Sequence, residues 1–516
     1  MNTGWNVLIV AWLFVGIWIS FVIYNQRRYH PKALFYLFFT EVWERFSYYG
    51  MRALFTLYLV KQLMYSDERA GALYGAYVAL VYATPVLGGF LAEKYLGARN
   101  SIMLGAILMA IGHVLMSIEQ EWILYGALGF LIMGNGFFKP NISTLVGKFY
   151  AEGDVRRDNA FTIFYMGVNT GAFLTPLTCG FIGETYGWHY GFGLAGLGMI
   201  IGLLIFYTGN KKNIYLDKGL PPANINYIQL TNSLKIDAPK VIYAGAFLMV
   251  PLLALLLNYN SVSKYILYTV GISMLIYLFV LAQKEDRVQR QKLYVVLLLF
   301  FFTVMFWTFF ELAGSAITLF TERNVNRVLQ IENLDVSIEI KSSQFQGINP
   351  FFIIVLAPLF SYLWVRFSKI SIPQKFGSAL IQLGLGFYVL YLSVNFADAK
   401  GLVPMSFLVV AYLLHTTGEL CISPIGLSLV TKLSPKTIVA FVMGIWMLSS
   451  SFAGLIGAEI TRATSLPREE GVQPPPIQSL YVYTSVFEVI AYVAIVAGII
   501  IFAMNSLIRK WMHDVQ

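Results

Sequence analysis

Charge is scarce in this chain. Asp, Glu, Lys and Arg make up 12% of its 516 residues and hydrophobic residues 58%, whereas soluble domains carry roughly 25% charged residues. A soluble fold of this length cannot cover its surface with so few charges. Apolar runs near the roughly 20 residues that a bilayer requires recur along the chain. The composition therefore predicts an all-α polytopic membrane protein and excludes a soluble enzyme or binding domain.

Cysteine is almost absent, and so are the common enzyme motifs. Cys179 and Cys421 are the only two cysteines, and each lies in an apolar segment, where a cysteine usually acts as a small buried hydrophobe. A disulfide framework or a Cys-based metal site is therefore unsupported. The sequence contains no HExxH, no GxSxG and no Cys/His ligand spacing. We expect a protein that is not an enzyme and that binds no metal or cofactor.

The apolar runs predict about fifteen transmembrane helices. The first run, from Trp5 to Tyr24, is too long for the apolar core of a signal peptide, and no A-x-A site follows it. The candidates cover residues 5–24, 33–60, 70–92, 100–118, 122–147, 160–183, 190–209, 240–258, 264–283, 293–321, 345–366, 376–396, 403–431, 437–460 and 480–507. Prolines 140, 176, 350, 358 and 424 are expected to interrupt some of these helices.

The basic residues indicate the orientation of the chain. Alternate loops between the predicted helices divide the Lys and Arg residues 24 to 9. Cytoplasmic loops carry the excess of positive charge, so the N-terminus is expected outside and the C-terminus in the cytoplasm. The net charge of +9 then reflects topology, and no nucleic-acid surface is expected.

Charged and aromatic residues cluster in the predicted second helix, in the stretch EVWERFSYYGMR. Their spacing places them on one face of a helix: Glu41, Glu44, Arg45, Tyr48, Tyr49 and Arg52. A charge at bilayer depth costs roughly 2.5–3.5 kcal/mol on the lenient insertion scale and is retained where it is paired or faces a water-filled cavity. We therefore interpret this face as a functional stripe.

Four ionisable groups, Arg52 of this stripe and three others at membrane depth, divide between the halves by sign. The first half supplies Arg52 and Lys139, and the second supplies Glu311 and Glu419. A cavity lined by both sets would suit a zwitterion a few residues long, and a desolvated carboxylate binds a proton more readily. The alternative is that these groups only form structural salt bridges, although buried pairs are poor stabilisers.

Several motifs in order resemble those of the proton-dependent oligopeptide transporter (POT) family, bacterial type, within the major facilitator superfamily. The loop GGFLAEKYLGAR (88–99) is similar to the superfamily's loop signature. The POT-like motifs are EVWERFSYYGMR (41–52), GNGFFKPNIS (134–143), FYMGVNTGAF (164–173), FWTFFELAGS (306–315), FQGINP (345–350) and GELCISPIGLS (418–428). Val168 replaces the usual Ile, and Leu312 replaces a Gln, which leaves the details of the outer gate open.

The resemblance implies a fold of two six-helix bundles, with two helices between the halves and one extra N-terminal helix. The corresponding domains would be residues 1–28 (extra helix), 29–210 (N-terminal bundle), 211–290 (linker with two helices) and 291–516 (C-terminal bundle). It implies a symporter in the bacterial cytoplasmic membrane that imports di- and tripeptides with protons by alternating access. The extra helix could serve as an accessory contact, a partner-binding helix or an uncleaved insertion signal.

The resemblance also implies roles for individual residues. Proton coupling would involve Glu41, Glu44, Arg45, Lys139 and Glu311. Peptide binding would involve Tyr48, Tyr49, Arg52, Tyr82, Lys139, Asn169, Asn349, Glu419 and Trp446. Arg52 would pair with Glu311 at an outer gate, and Lys139 with Glu419 at an inner one. The alternatives are a superfamily transporter of another solute, such as a modified peptide or small organic anion, and a channel.

Overall fold

The fold is built almost entirely from helices, as predicted. The computed structural model describes residues 3–151, 153–222, 227–229, 235–331, 336–367, 369–423, 426–466, 475–513 and 515. The α-helices, numbered α1 to α19 in chain order, are Thr3–Gln26, Lys32–Lys61, Asp67–Leu91, Gly97–Met116, Glu121–Gly147, Arg156–Thr175, Phe181–Tyr186, Trp188–Lys211, Ala238–Asn258, Asn260–Lys284, Arg287–Phe310, Ala316–Asn324, Ile348–Arg366, Ile372–Leu392, Met405–Ile422, Gly426–Leu433, Val439–Ala463, Pro476–Ala503 and Asn505–Met512.

Helical turns of other kinds connect several of these helices. The π-helical turns are Ala92–Leu96 and Pro176–Gly180, and the 3-10 turns are Glu311–Gly314, Ser342–Gly347 and Ser393–Phe396. Every predicted apolar segment contains a helix. The predicted proline breaks are only partly right, because Pro140 and Pro358 lie inside continuous helices while Pro176 opens a π-turn. Pro424 lies outside the described residues.

Twelve segments of the described chain are long and apolar enough to cross a membrane. Two of them, Asp67–Met116 and Arg287–Asn324, each join more than one helix. The helix α2 is not among the twelve because its polar stripe adds charges to an otherwise apolar sequence. The pattern is that of a multi-pass membrane protein.

Short strands occur only at connections within the described chain. The antiparallel pairs are β1 (Tyr227–Gln229) with β2 (Lys235–Asp237) and β4 (Val328–Ile331) with β5 (Val336–Glu339). The parallel pair is β3 (Val325–Asn326) with β6 (Val403–Pro404). These ladders add little to the core, which is made of packed helices.

The chain forms two compact units. The first contains Met1–Tyr58, Leu80–Tyr259 and Val328–Pro350, and the second contains Leu59–Ala79, Asn260–Arg327 and Phe351–Gln516. The boundaries therefore fall inside α2, α3 and α13, between α9 and α10, and between β3 and β4. The domain boundaries expected from the sequence remain a prediction.

Glycine-lined contacts bring helices close together in each unit. In the first unit Gly88 of α3 meets the backbone of Gly136 in α5, and in the second unit Gly75 of α3 meets the backbone of Gly454 in α17. A Cβ at these glycines would overlap the facing backbone. Small residues allow this close packing between membrane helices, and it fixes the helices that carry the candidate site.

Candidate functional site

An ion-pair cluster lies on α2 in the first unit. The Arg45 Nε donates to Glu41 Oε1 at 2.9 Å and lies 2.6 Å from Glu44 Oε2. All three residues are buried, with Glu44 fully inaccessible. Among the described residues, Glu41 Oε2, both Glu44 oxygens and one Arg45 nitrogen have no hydrogen-bond partner. The cluster thus holds two carboxylates against one guanidinium in a site that excludes water.

The helix α6 fixes the position of this cluster. A side chain at Gly171 would clash with the Val42 carbonyl and the Arg45 Cβ, so only glycine permits this approach of α6 to α2. Further along α6, Thr175 Oγ1 donates to the Phe46 carbonyl at 3.0 Å. These contacts lie within the FYMGVNTGAF motif or beside it, and they explain why that motif accompanies the charged stripe.

Lys139 lies on α5 close to the cluster. Its charge acts on Glu44, and its Nζ is 4.6 Å from the centre of the Tyr82 ring on α3. The next residue, Pro140, has no N–H to donate to the Gly136 carbonyl, and Gly88 packs against that carbonyl instead. The close crossing of α3 and α5 thereby brings Tyr82 and Lys139 together.

Each arginine of the stripe lies beside a tyrosine ring. The rings of Tyr48 and Tyr49 meet edge to face at 5.3 Å. Tyr48 lies 5.6 Å from the guanidinium of Arg45, and Tyr49 lies 5.8 Å from that of Arg52. In the structure the two tyrosines of the predicted stripe therefore lie between its two arginines, each beside one guanidinium.

The two predicted asparagines lie at helix positions in the first unit. The Asn169 side chain is buried and donates to the Tyr165 carbonyl of α6 at 3.0 Å. Asn349 is half-buried at the start of α13. The turn before it is anchored by Glu184, which accepts hydrogen bonds from the backbone N–H and the hydroxyl of Ser343 at 2.9 and 2.6 Å.

The other predicted residues belong to the second unit. Glu311 is buried in the 3-10 turn where α11 ends, and the adjacent Leu312 is buried too. Glu419 is buried on α15. Trp446 on α17 meets the Phe300 ring edge to face at 6.5 Å and contacts Gly426. Both acids are thus buried within helical segments that are long and apolar enough to cross a membrane.

Sequence reasoning missed a buried ion pair in the second unit. Arg323 at the end of α12 donates from both terminal nitrogens to Asp67 at 2.5 and 2.8 Å, and to Tyr483 Oη at 3.0 Å. Asp67 and Arg323 are both buried. They are 256 residues apart in sequence and both lie outside the predicted helices, so no local pattern signals their pairing.

A second missed contact involves the loop signature. Arg99 Nε donates to the Lys218 carbonyl at 2.6 Å, and its terminal nitrogens bond the Leu216 carbonyl and the Asn210 side chain. Arg99 is buried under this segment. The sequence after α8 is typical of a linker. Arg99 nevertheless holds the start of this segment in place through the carbonyls of Leu216 and Lys218.

A third polar group lies at the junction of α1 and α2. The His30 ring nitrogens contact Tyr150 Oη at 2.8 Å and the Asn159 amide at 3.3 Å. Burial, and then the charge of Arg156, lower the pKa of His30 from its usual 6.5. Burial raises the pKa of Tyr150 to about 12. Both groups are therefore neutral near pH 7.

Comparisons with known proteins identify the family of this chain. A sequence profile described as "POT family" matches residues 99–480. The chain is 33% identical over 500 residues to the uncharacterized transporter YclF of Bacillus subtilis (strain 168), and 32% identical over 494 residues to dipeptide and tripeptide permease B of Edwardsiella piscicida; each alignment covers 94% of this chain and 96% of the relative. The crystal structure of a peptide transporter, POT, in complex with sulfate superposes with a TM-score of 0.80 at 34% identity, over 94% of this chain and 96% of the other. The resemblance stated from the motifs is therefore confirmed, together with the superfamily fold, and the chain belongs to the POT family of membrane transporters.

Proposed function

We propose that this protein imports di- and tripeptides together with protons. The observation that carries the proposal is the buried cluster of Glu41, Glu44 and Arg45, with Lys139 beside it. The two negative carboxylates and the two positive side chains at this site cancel in charge. If a peptide carboxylate engages Lys139, one carboxylate of the cluster loses its compensation in a site that excludes water. A proton then restores neutrality, because an uncompensated buried carboxylate favours its protonated form.

The family resemblance suggests a role for each group in this proposal. Arg52 and Lys139 would hold the peptide carboxylate, and Tyr48, Tyr49 and Tyr82 would shape the space around it. Asn169, Asn349 and Glu419 would bind the peptide backbone and amino terminus, with Trp446 lining a side-chain pocket. Glu311 would carry a proton at the outer gate. The related permease named for dipeptides and tripeptides supports this substrate class.

Orientation and location complete the proposal. The 24-to-9 division of basic residues between alternate loops supports an N-terminus outside and a C-terminus in the cytoplasm of a bacterium. Peptide would then enter from outside with the inward proton gradient. The lipid bilayer, protons and peptide are the partners that this function requires.

Counterflow of labelled dialanine in proteoliposomes tests the substrate class. Vesicles loaded with unlabelled dialanine are diluted into a trace of label, with no proton gradient. We expect saturable accumulation of label by the wild-type protein and by the control variant Glu68→Gln. The Glu68 side chain is exposed, unlike the buried acids of the proposed site. Lys139→Ala should abolish it.

The alternatives give different results in the same assay. A channel would equilibrate the label without saturation or exchange. A transporter of another solute, such as a modified peptide or a small organic anion, would show no dialanine exchange although the reconstituted protein is folded. Either outcome would contradict the proposed substrate.

A further inference from the structure

The additional helix α1 is docked along the first unit by polar contacts at three levels. At one end, Trp5 Nε1 donates to Tyr186 Oη at 2.9 Å. Near the middle, Trp12 Nε1 donates to Thr178 Oγ1 at 3.0 Å. At the other end, the Asn159 amide donates to Gln26 Oε1 at 3.3 Å. Hydrogen bonds between helices have no water to replace them inside a bilayer, so these contacts hold α1 in one register.

An apolar contact near the middle of α1 adds to the hydrogen bond of Trp12. Val15 of α1 is buried in a cluster with Phe46, Leu174, Cys179 and Ala195. The opposite face of α1 is exposed, with Phe14 and Leu13 each 60% accessible. One face of the helix therefore packs against the rest of the first unit, and the opposite apolar face is left for lipid.

The rings that Trp12 contacts flank the coupling cluster. Trp12 packs against Trp43 at 6.2 Å and against Phe46 at 6.0 Å between ring centres. Trp43 immediately precedes Glu44, and Phe46 immediately follows Arg45. Helical geometry puts Trp43 and Phe46 on the back of α2, opposite the charged stripe. Trp12 thus supports α2 from the side away from Glu44 and Arg45.

The polar partner of Trp12 lies at a break in the helix that packs on the cluster. Thr178 belongs to the π-helical turn Pro176–Gly180, and its hydroxyl donates in turn to the Leu174 carbonyl at 2.7 Å. The helix α6, which runs directly into this turn, carries Gly171 against Arg45. One side chain of α1 therefore contacts both helices that determine where Arg45 lies.

We propose that Trp12 is a positioning residue for the proton-coupling cluster, and that α1 is a permanent part of the transport machinery. Trp12 fixes α2 against α6, and so keeps Arg45 between Glu41 and Glu44. This inference deepens the function proposed above and rests on it for the meaning of the cluster. An insertion signal alone, or a helix reserved for a partner protein, would not need these contacts at the back of the cluster.

A titration of the cluster tests the inference without any substrate. The intensity of the carboxylic-acid infrared band of purified protein is measured against pH. The fraction of this intensity that is missing in Glu44→Gln reports the protonation of Glu44. In Trp12→Phe the ring remains but cannot donate to Thr178, and in Trp12→Ala both contacts are lost. Arg45 then holds the carboxylates less firmly, so the midpoint should move to higher pH by about half a unit, the equivalent of an average interhelical hydrogen bond in a membrane. Phe14→Ala, on the lipid-facing side of α1, is the matched control and should leave the midpoint unchanged.

Transport provides the second measurement. In Trp12→Phe the pH midpoint of proton-driven dialanine uptake should shift in the same direction, while gradient-free counterflow is retained. An unchanged infrared midpoint in both Trp12 variants would overturn the positioning role, even if uptake falls. An absence of dialanine uptake by the wild type would refute the proposed substrate, and the infrared titration would still decide the role of Trp12.

Discussion

Replacement of Asp67 by Asn should destabilise the protein far more than replacement of its neighbour Glu68 by Gln. Both acids lie in the first turn of α3 and both pair with an arginine. The Asp67–Arg323 side chains are only 3% and 5% exposed, whereas the Glu68–Arg462 side chains are 56% and 62% exposed. The two substitutions remove the same charge from the same helix end, so burial is the main difference between them.

The magnitudes follow from that difference. Removal of one partner from a buried pair costs about 3–5 kcal/mol because the other charge is left uncompensated. In Asp67→Asn the amide oxygen of the new side chain could still accept one bond from Arg323, so we expect a loss near the lower end, about 3 kcal/mol. An exposed pair contributes about 0–1 kcal/mol. The difference between the variants should therefore be at least about 2 kcal/mol.

Denaturant unfolding in mixed micelles, followed by far-ultraviolet circular dichroism, measures both free energies. The double variant Asp67→Asn with Arg323→Gln should recover part of the loss, since it leaves no unpaired charge at the site. Equal effects of Asp67→Asn and Glu68→Gln would refute the reasoning from burial. So would a double variant whose loss equals the sum of the two single losses.

Three further predictions concern the coupling cluster, the loop signature and the α1–α2 junction. Glu44→Gln leaves Arg45 with a single acid, so proton-driven accumulation of dialanine should fall to background while counterflow persists; retained accumulation would exclude Glu44 from coupling. Arg99→Ala removes three charge-assisted hydrogen bonds of about 1.5–3 kcal/mol each. Trypsin should therefore cut this variant at Lys212 or Lys218 at least about ten-fold faster than it cuts the control variant Lys94→Ala. Equal cleavage rates would show that Arg99 does not anchor the segment. The pKa of His30 is depressed in the folded protein, so the unfolded state binds the proton more readily and stability should decline as pH falls through about 6.5. His30→Asn should reduce that decline in thermal unfolding between about pH 7.5 and 5.5, and an identical decline would contradict the assignment.

Most of the long helices could be predicted from sequence because they are apolar runs whose local hydropathy is enough to identify them. The predicted segment 5–24 corresponds to α1 and the segment 33–60 to α2 within one to two residues at each end. The charged stripe of α2 could also be predicted, because helical spacing is a local property. Local patterns therefore identified the elements and one face of the site.

The remaining features depend on contacts between residues that are distant in sequence. The break at Glu311 has no proline to signal it, and the partner of Arg323 lies 256 residues away. The docking of α1 is decided by Thr178 and Phe46, which nothing in the first apolar run indicates. Likewise, the role of Arg99 depends on carbonyl groups of a stretch whose composition suggests a linker.

In the proposed mechanism, peptide accumulation draws on the proton gradient through the buried cluster. The most direct test is uptake of labelled dialanine into proteoliposomes under an inward proton gradient, followed by addition of an uncoupler. We expect accumulation above equilibrium that is lost on uncoupling and absent in Lys139→Ala and Glu311→Gln. Accumulation that survives the uncoupler, or that persists in both variants, would contradict it.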